Sequence, residues 1–148
     1  MELPELAGRL DDTVVALRSA TPRRSGLSLT SAATLARLQR CGPARLTELA
    51  AAEGVSQPSM TTLIARLSGQ GLVARAADPR DGRAVVLSLT PAGEELLAQR
   101  RAERTTQLSG PLAELSPADV RAIAEALPAL TRLAGALRRP PIPTEVTR

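Results

Sequence analysis

Leu72–Gly93 reads LVARAADPRDGRAVVLSLTPAG. Two apolar, β-prone runs, Leu72–Ala76 and Ala84–Leu89, flank Asp78-Pro79-Arg80-Asp81-Gly82-Arg83. Asp-Pro and Asp-Gly both favour turns, so the stretch predicts a β-hairpin whose turn spans residues 78–83 and carries two arginines. Directly upstream, Leu46–Gly71 reads as two short helices joined by a tight turn. The first, Leu46–Glu53, offers Leu49, Ala50 and Ala51 for packing. Gly54 suits a left-handed turn position, Ser56 an N-cap, and Pro58 a first helical turn, where its missing N–H does little harm. The second helix places Met60, Leu63, Ile64 and Leu67 on one face. Gln57, Ser59, Thr61, Thr62, Ala65 and Arg66 fall on the other, and Gly69 and Gly71 close it. A helix-turn-helix followed by a basic hairpin predicts a winged helix.

The flanks read as helices. Glu5–Ser19 carries Leu6, Leu10, Val14 and Leu17 at three- and four-residue steps. Thr21–Gly26 is a loop by composition; Arg23 and Arg24 read as loop charges, with a phosphate or ligand contact as the sharper rival. Thr30 is read as the cap of a helix with Ala32, Leu35, Ala36 and Leu38 inward, ended by Cys41-Gly42-Pro43. After the hairpin, Thr90-Pro91 starts a helix expected to run to about Leu108 before Ser109-Gly110-Pro111 breaks it. Arg100, Arg101 and Arg104 on it read as a solvated face, with binding of an acidic effector as the rival. Ser116-Pro117-Ala118-Asp119 resembles a capping box. The last helix sets Val120, Ile123, Leu127, Leu130, Ala134 and Leu137 on one seam. Pro128 is expected to kink that helix or remove one backbone bond. Pro140–Arg148 has little to pack and is expected to be disordered.

Composition narrows the function. The chain has 148 residues, 43% of them hydrophobic, with no Phe, Tyr or Trp. Its core must therefore be aliphatic, and a second subunit would help to complete it. All 19 basic residues are arginine and the net charge is +4, which permits an anionic partner. No histidine is present, which excludes Ser-His-Asp or Cys-His catalysis and His-ligated zinc. No phosphate loop, nucleophile–base pair or metal cluster appears, so neither an enzyme nor a cofactor or metal site is expected. Cys41 is the single cysteine, so there is no intrachain disulfide; it reads as a buried small hydrophobe, with redox sensing as its rival. No run approaches membrane-spanning length and the first residues are not a signal peptide, so a cytoplasmic protein without membrane contact is expected.

The helix-turn-helix suits double-stranded DNA. The second helix fits the major groove with its N-terminal residues at the base edges. Those are Gln57, Ser59, Thr61 and Thr62, with Arg66 a turn on. Gln pairs with adenine, and Ser and Thr reach bases or phosphates. Ser56 and the free N–H groups of the first turn suit a phosphate. Leu46-Thr47-Glu48-Leu49-Ala50, Val55–Thr61 (VSQPSMT), Leu72-Val73, Asp78–Arg83 (DPRDGR) and Leu87–Gly93 (LSLTPAG) resemble, in order and spacing, the MarR family of bacterial regulators (multiple antibiotic resistance regulators).

The resemblance spans roughly Leu6–Leu137 and implies a mostly α, α+β chain. Residues 30–93 would be the winged helix-turn-helix and 94–108 a connecting helix. Residues 1–29 and 109–139 would form the dimerisation helices of a homodimer, and 140–148 a tail. It implies that Arg83 enters the minor groove, that Asp81 orients it through a salt bridge, and that Arg80 sits near the backbone. A narrow minor groove attracts arginine, in agreement. Gly82 replaces a bulkier residue, and the aromatics of family ligand pockets are missing. The function implied is a sequence-specific repressor of a pseudo-palindromic operator, released by a small-molecule effector. The alternative is a winged helix used for protein interaction alone.

Overall fold

The computed structural model describes residues 1–20 and 26–137. The expected loop charges Arg23 and Arg24 and the tail from Pro140 lie outside the described residues. The order is α1 (Leu3–Ala20), α2 (Leu29–Cys41), β1 (Ala44–Arg45), α3 (Leu46–Glu53), α4 (Gln57–Gly69), β2 (Val73–Asp78), β3 (Asp81–Leu89), α5 (Pro91–Ala113) and α6 (Pro117–Leu137). The chain divides into two compact units, Met1–Thr105 and Thr106 onward.

Local signals build the turn between α3 and α4. Gly54 takes a left-handed conformation (φ 64°, ψ 33°), where a Cβ is costly. Its N–H and that of Val55 satisfy the last carbonyls of α3. The Ser56 hydroxyl accepts the Ser59 N–H at 3.3 Å and so starts α4. On α4, Met60, Ile64 and Leu67 are fully buried. They meet Leu35 and Leu38 of α2, Leu49 and Ala50 of α3, Leu72 just before β2, and Val73 and Leu87 of the sheet in one aliphatic cluster. Each buried Leu, Ile or Met of this cluster cut to Ala costs about 2–5 kcal/mol.

The sheet is antiparallel, in the order β1-β3-β2, with Ala44 opposite Leu87 and Val73 opposite Leu89. The sequence does not announce β1: it has two residues and exists because β3 pairs with it. The hairpin turn is tighter than expected. Asp78 and Asp81 belong to the strands and face each other, leaving Pro79-Arg80 as the loop, with an irregularity between Ala77 and Asp78. Leu87 is buried, whereas Val85, nearer the tip, is exposed. The wing is therefore held on the core only at its base.

Three expectations are corrected. Ser28, not Thr30, caps α2, taking the Ser31 N–H at 3.1 Å; Thr30 lies inside the first turn and its carbonyl accepts the Thr34 hydroxyl. Ser28 also hydrogen-bonds the buried Ser31 through its hydroxyl at 2.9 Å, a second tie at the helix start. Secondly, α5 runs through Gly110-Pro111 to Ala113. Gly110 has no Cβ to collide with the proline ring, which removes much of the usual bar to helix before proline. Thirdly, Cys41 is exposed at the end of α2. The inward face of that helix ends one turn earlier, at Leu38.

In α6, Pro128 lies inside a continuous helix, and Ser116 caps its start through the Asp119 N–H at 3.1 Å. Neither α1 nor α6 buries a residue. Their apolar stripes, including Leu6, Val14 and Leu17 on α1 and Ile123, Leu127 and Leu130 on α6, are exposed.

Gly93 sets how α5 leaves the sheet. A Cβ there would lie 2.5 Å from the Leu72 carbonyl oxygen and 2.5 Å from Leu89 Cδ1. Gly93→Ala is predicted to destabilise the fold by about 1–3 kcal/mol through overpacking. Urea unfolding would show this, and an unchanged midpoint would contradict the close approach.

Candidate nucleic-acid interface

Burying Met60, Ile64 and Leu67 turns the other face of α4 to solvent. Gln57, Ser59, Thr61, Thr62 and Arg66 are all exposed, as is Ser56 at the cap. Their states differ. The Thr61 hydroxyl donates to the Gln57 carbonyl at 2.9 Å and that of Thr62 to the Pro58 carbonyl at 3.1 Å. With their protons so engaged, both present an acceptor lone pair and a methyl group. Ser56 and Ser59 hydrogen-bond each other through their hydroxyls at 2.8 Å. Arg66 reaches across to α2, where Nη2 donates to Ser31 Oγ at 2.7 Å, and Ser31 in turn pairs with Ser28. Arg66 therefore has a structural partner as well as an exposed position. Its guanidinium also braces α4 against α2, and its remaining N–H groups stay available.

The wing is organised by a residue that the sequence reading passed over. Arg45 is the last residue of β1 and the N-cap of α3, where its backbone N–H donates to Glu48 Oε2 at 2.7 Å. Its side chain crosses to the wing. Nε and Nη2 both donate to Asp78 Oδ2, at 3.0 and 2.7 Å, and Nη2 lies 3.9 Å from Asp81 Oδ2. Asp78 is 7% exposed, a buried carboxylate satisfied on both oxygens. Its Oδ1 accepts the Arg80 N–H at 2.9 Å. That backbone bond, then the Arg45 side chain, hold the Asp78 carboxyl below the ordinary aspartate range. The same pairing with Asp78 raises Arg45.

Asp81 does not hold the Arg83 guanidinium as the family resemblance implied. Its Oδ1 accepts the Arg83 backbone N–H at 3.2 Å, and its other oxygen faces Arg45. Asp81 thus fixes the chain at Arg83 rather than the charged head. Arg80 and Arg83 are exposed, and among the described residues neither guanidinium makes an ion pair or hydrogen bond. The only available hint of Arg45 was its odd placement, a long cation where a short cap residue is usual.

Among the described residues no group of His, Cys, Asp or Glu could hold a metal ion, and no helix is long and apolar enough to cross a membrane. The MarR family profile matches residues 27–85, from the start of α2 to the middle of β3. The chain belongs to the MarR family. An HTH-type transcriptional regulator of Mycobacterium tuberculosis is 39% identical over 92 residues, 62% of this chain and 64% of its own length. The HTH-type transcriptional regulator YxaD of Bacillus subtilis is 33% identical over 97 residues, 64% of this chain and 68% of its own. The crystal structure of a transcriptional regulator from Thermotoga maritima superposes with a TM-score of 0.75 at 24% identity, over 90% of this chain and 96% of that one. This likeness shows that the MarR winged-helix fold extends over the flanking helices. The sequence matches are shorter and span about two thirds of the curated relatives' length.

The depressed Asp78 carboxyl gives a pH prediction with a definite sign. Between its native value and the ordinary value of about 3.9, the unfolded chain binds the extra proton. The stabilisation is therefore complete above that ordinary value and is lost as pH falls toward the native one. Asp78→Asn is predicted to melt below the wild type at pH 7, with the gap closing under acid. Thermal melts across pH 7 to 3 test it, and a gap that widens in acid would contradict it.

Proposed function

We propose that the chain is a sequence-specific, DNA-binding regulator of transcription that acts as a homodimer. The observation that carries this reading is the pairing of an exposed polar face on α4 with two wing-tip arginines, Arg80 and Arg83, whose guanidinium groups are unpaired among the described residues. The α4 face offers the groups that base edges require. Gln57 is free to pair with adenine, Ser59 sits in the first turn, and the Thr61 and Thr62 methyls suit thymine. Ser56, the first-turn N–H groups and the remaining donors of Arg66 suit phosphates. Arg83 takes the minor groove, Arg80 the neighbouring backbone, and Asp81 holds the backbone between them.

The bare apolar stripes of α1 and α6 support the dimer. Leu127 is 54% exposed and Ile123 41%, in a seam that water does not favour. In this reading residues 1–29 and 109–139 join two copies, residues 30–93 read DNA and residues 94–108 connect them. Two-fold symmetry then sets two half-sites about one helical turn apart.

Repression, the mode implied by the family resemblance, and release by a small acidic effector complete the proposal. Arg100 on α5 is half-buried, and its Nη1 is shielded from water without a hydrogen-bond partner among the described residues. Burial, then Arg104, lowers its pKa. An anion would satisfy it. The regulator BpsR of Bordetella bronchiseptica, 26% identical with a TM-score of 0.54, has its DNA binding regulated by 6-hydroxynicotinic acid. Effector release requires that the ligand bind the DNA-incompetent state more tightly. A regulator of this kind works in the cytoplasm, with DNA.

Arg83→Ala is predicted to weaken binding to the DNA upstream of the chain's own gene by roughly tenfold and to shallow its salt dependence. Fluorescence anisotropy over a salt series measures both, and unchanged binding would remove Arg83 from the interface. Ile123→Arg combined with Leu127→Arg is predicted to yield a monomer by sedimentation velocity. A dimer surviving that change would exclude the α6 seam.

A further inference from the structure

We infer that Arg45 is a positioning residue for DNA reading: its guanidinium, anchored on the helix-turn-helix, sets the aim of the two wing-tip arginines, Arg80 and Arg83. The inference rests on the DNA-binding reading and adds to it a residue outside both reading elements. The two halves of DPRDGR are built alike. Asp78 accepts the N–H of Arg80, two residues on, at 2.9 Å, and Asp81 accepts the N–H of Arg83, two residues on, at 3.2 Å. Each aspartate thereby closes a local turn under one arginine. The second oxygen of each faces Arg45, at 2.7 Å from Asp78 and 3.9 Å from Asp81.

This arrangement needs a cation at that point. Asp78 and Asp81 are directly opposed across the hairpin end, and opposed like charges destabilise a strand pair. The Pro79-Arg80 loop joins them, and Gly82 adds backbone freedom next to Arg83. Without a shared counter-charge the carboxylates would turn apart and release the N–H groups they hold. Arg45 is itself well anchored. It pairs with Val86 of β3, and its N–H is tied to Glu48 on α3. In turn, α3 shares the buried core with α4. The wing's aim is thus referred to the frame that carries the recognition helix, before DNA arrives. Such preorganisation removes an ordering cost from binding.

The rival role for Arg45 is a direct phosphate contact, since its side chain is 41% exposed. A double-mutant cycle separates the two. The full chain, as wild type, Arg45→Ala, Arg83→Ala and the double variant, is titrated against two duplexes. One carries the region upstream of its own gene; the other is a random sequence of equal length. Each single change is expected to weaken the specific complex about tenfold. If Arg45 acts through the wing, the double variant stays near that tenfold loss rather than reaching the hundredfold of independent contacts. Arg45→Lys keeps the charge but loses the two-pronged grip, so partial recovery is expected. Should Arg45→Ala fail to fold by circular dichroism, Asp78→Asn replaces it in the cycle. That variant keeps an acceptor for the Arg80 N–H and removes the charge that Arg45 grips. Additive losses with an otherwise normal wild type would overturn the positioning role alone. A wild type that binds both duplexes equally would overturn the DNA-reading proposal and this inference together.

Discussion

Burial of Met60, Ile64 and Leu67 is the interaction on which the rest depends. A helix has two faces, and once these three enter the aliphatic core the rotation of α4 is fixed. Gln57, Ser59, Thr61, Thr62 and Arg66 then have nowhere to go but outward. The partners in that core come from α2, α3, β2 and β3, so the same packing holds the brace of the helix-turn-helix and the base of the wing. Gly93 belongs to this constraint, because its missing side chain lets α5 start against Leu72 and Leu89.

Away from the core the wing has to be held by polar means. Its tip has little to bury, and the tip-side Val85 is exposed. An ion pair with two hydrogen bonds to a nearly buried carboxylate takes over there, linking residues 33 positions apart in the chain. The core therefore sets the recognition helix, and charge sets the wing. A wing held by charge responds to pH and salt in ways that a wing held by packing would not.

What was legible in the sequence was local. Gly54, Ser56 and Pro58 mark the turn into α4 through conformational preferences that each residue carries by itself. The two faces of α4 follow from its period, and the hairpin from Asp-Pro and Asp-Gly. The exposure of Arg80, Arg83 and the α4 site residues was legible for the same reasons. What escaped were choices made in three dimensions. Strand β1 has no pattern of its own, and the Arg45–Asp78 bond joins distant residues that no spacing rule connects. Ser28 and Thr30 are both fair caps, and the paired hydrogen bonds of Ser28 with Ser31 decide between them. Pro111 reads as a break until Gly110 is seen to relieve it. The partners of Arg66 and Asp81, Ser31 and Arg45, come from other elements and could not be read from spacing.

The central claim is that α4 and the wing read DNA together, on two symmetric half-sites. Hydroxyl-radical footprinting of the full chain on the DNA upstream of its own gene tests it most directly. The account predicts two protected patches about one helical turn apart, each accompanied by protection of an adjacent minor groove that disappears with Arg83→Ala. Uniform protection, or none, at salt concentrations where the protein remains folded would contradict it.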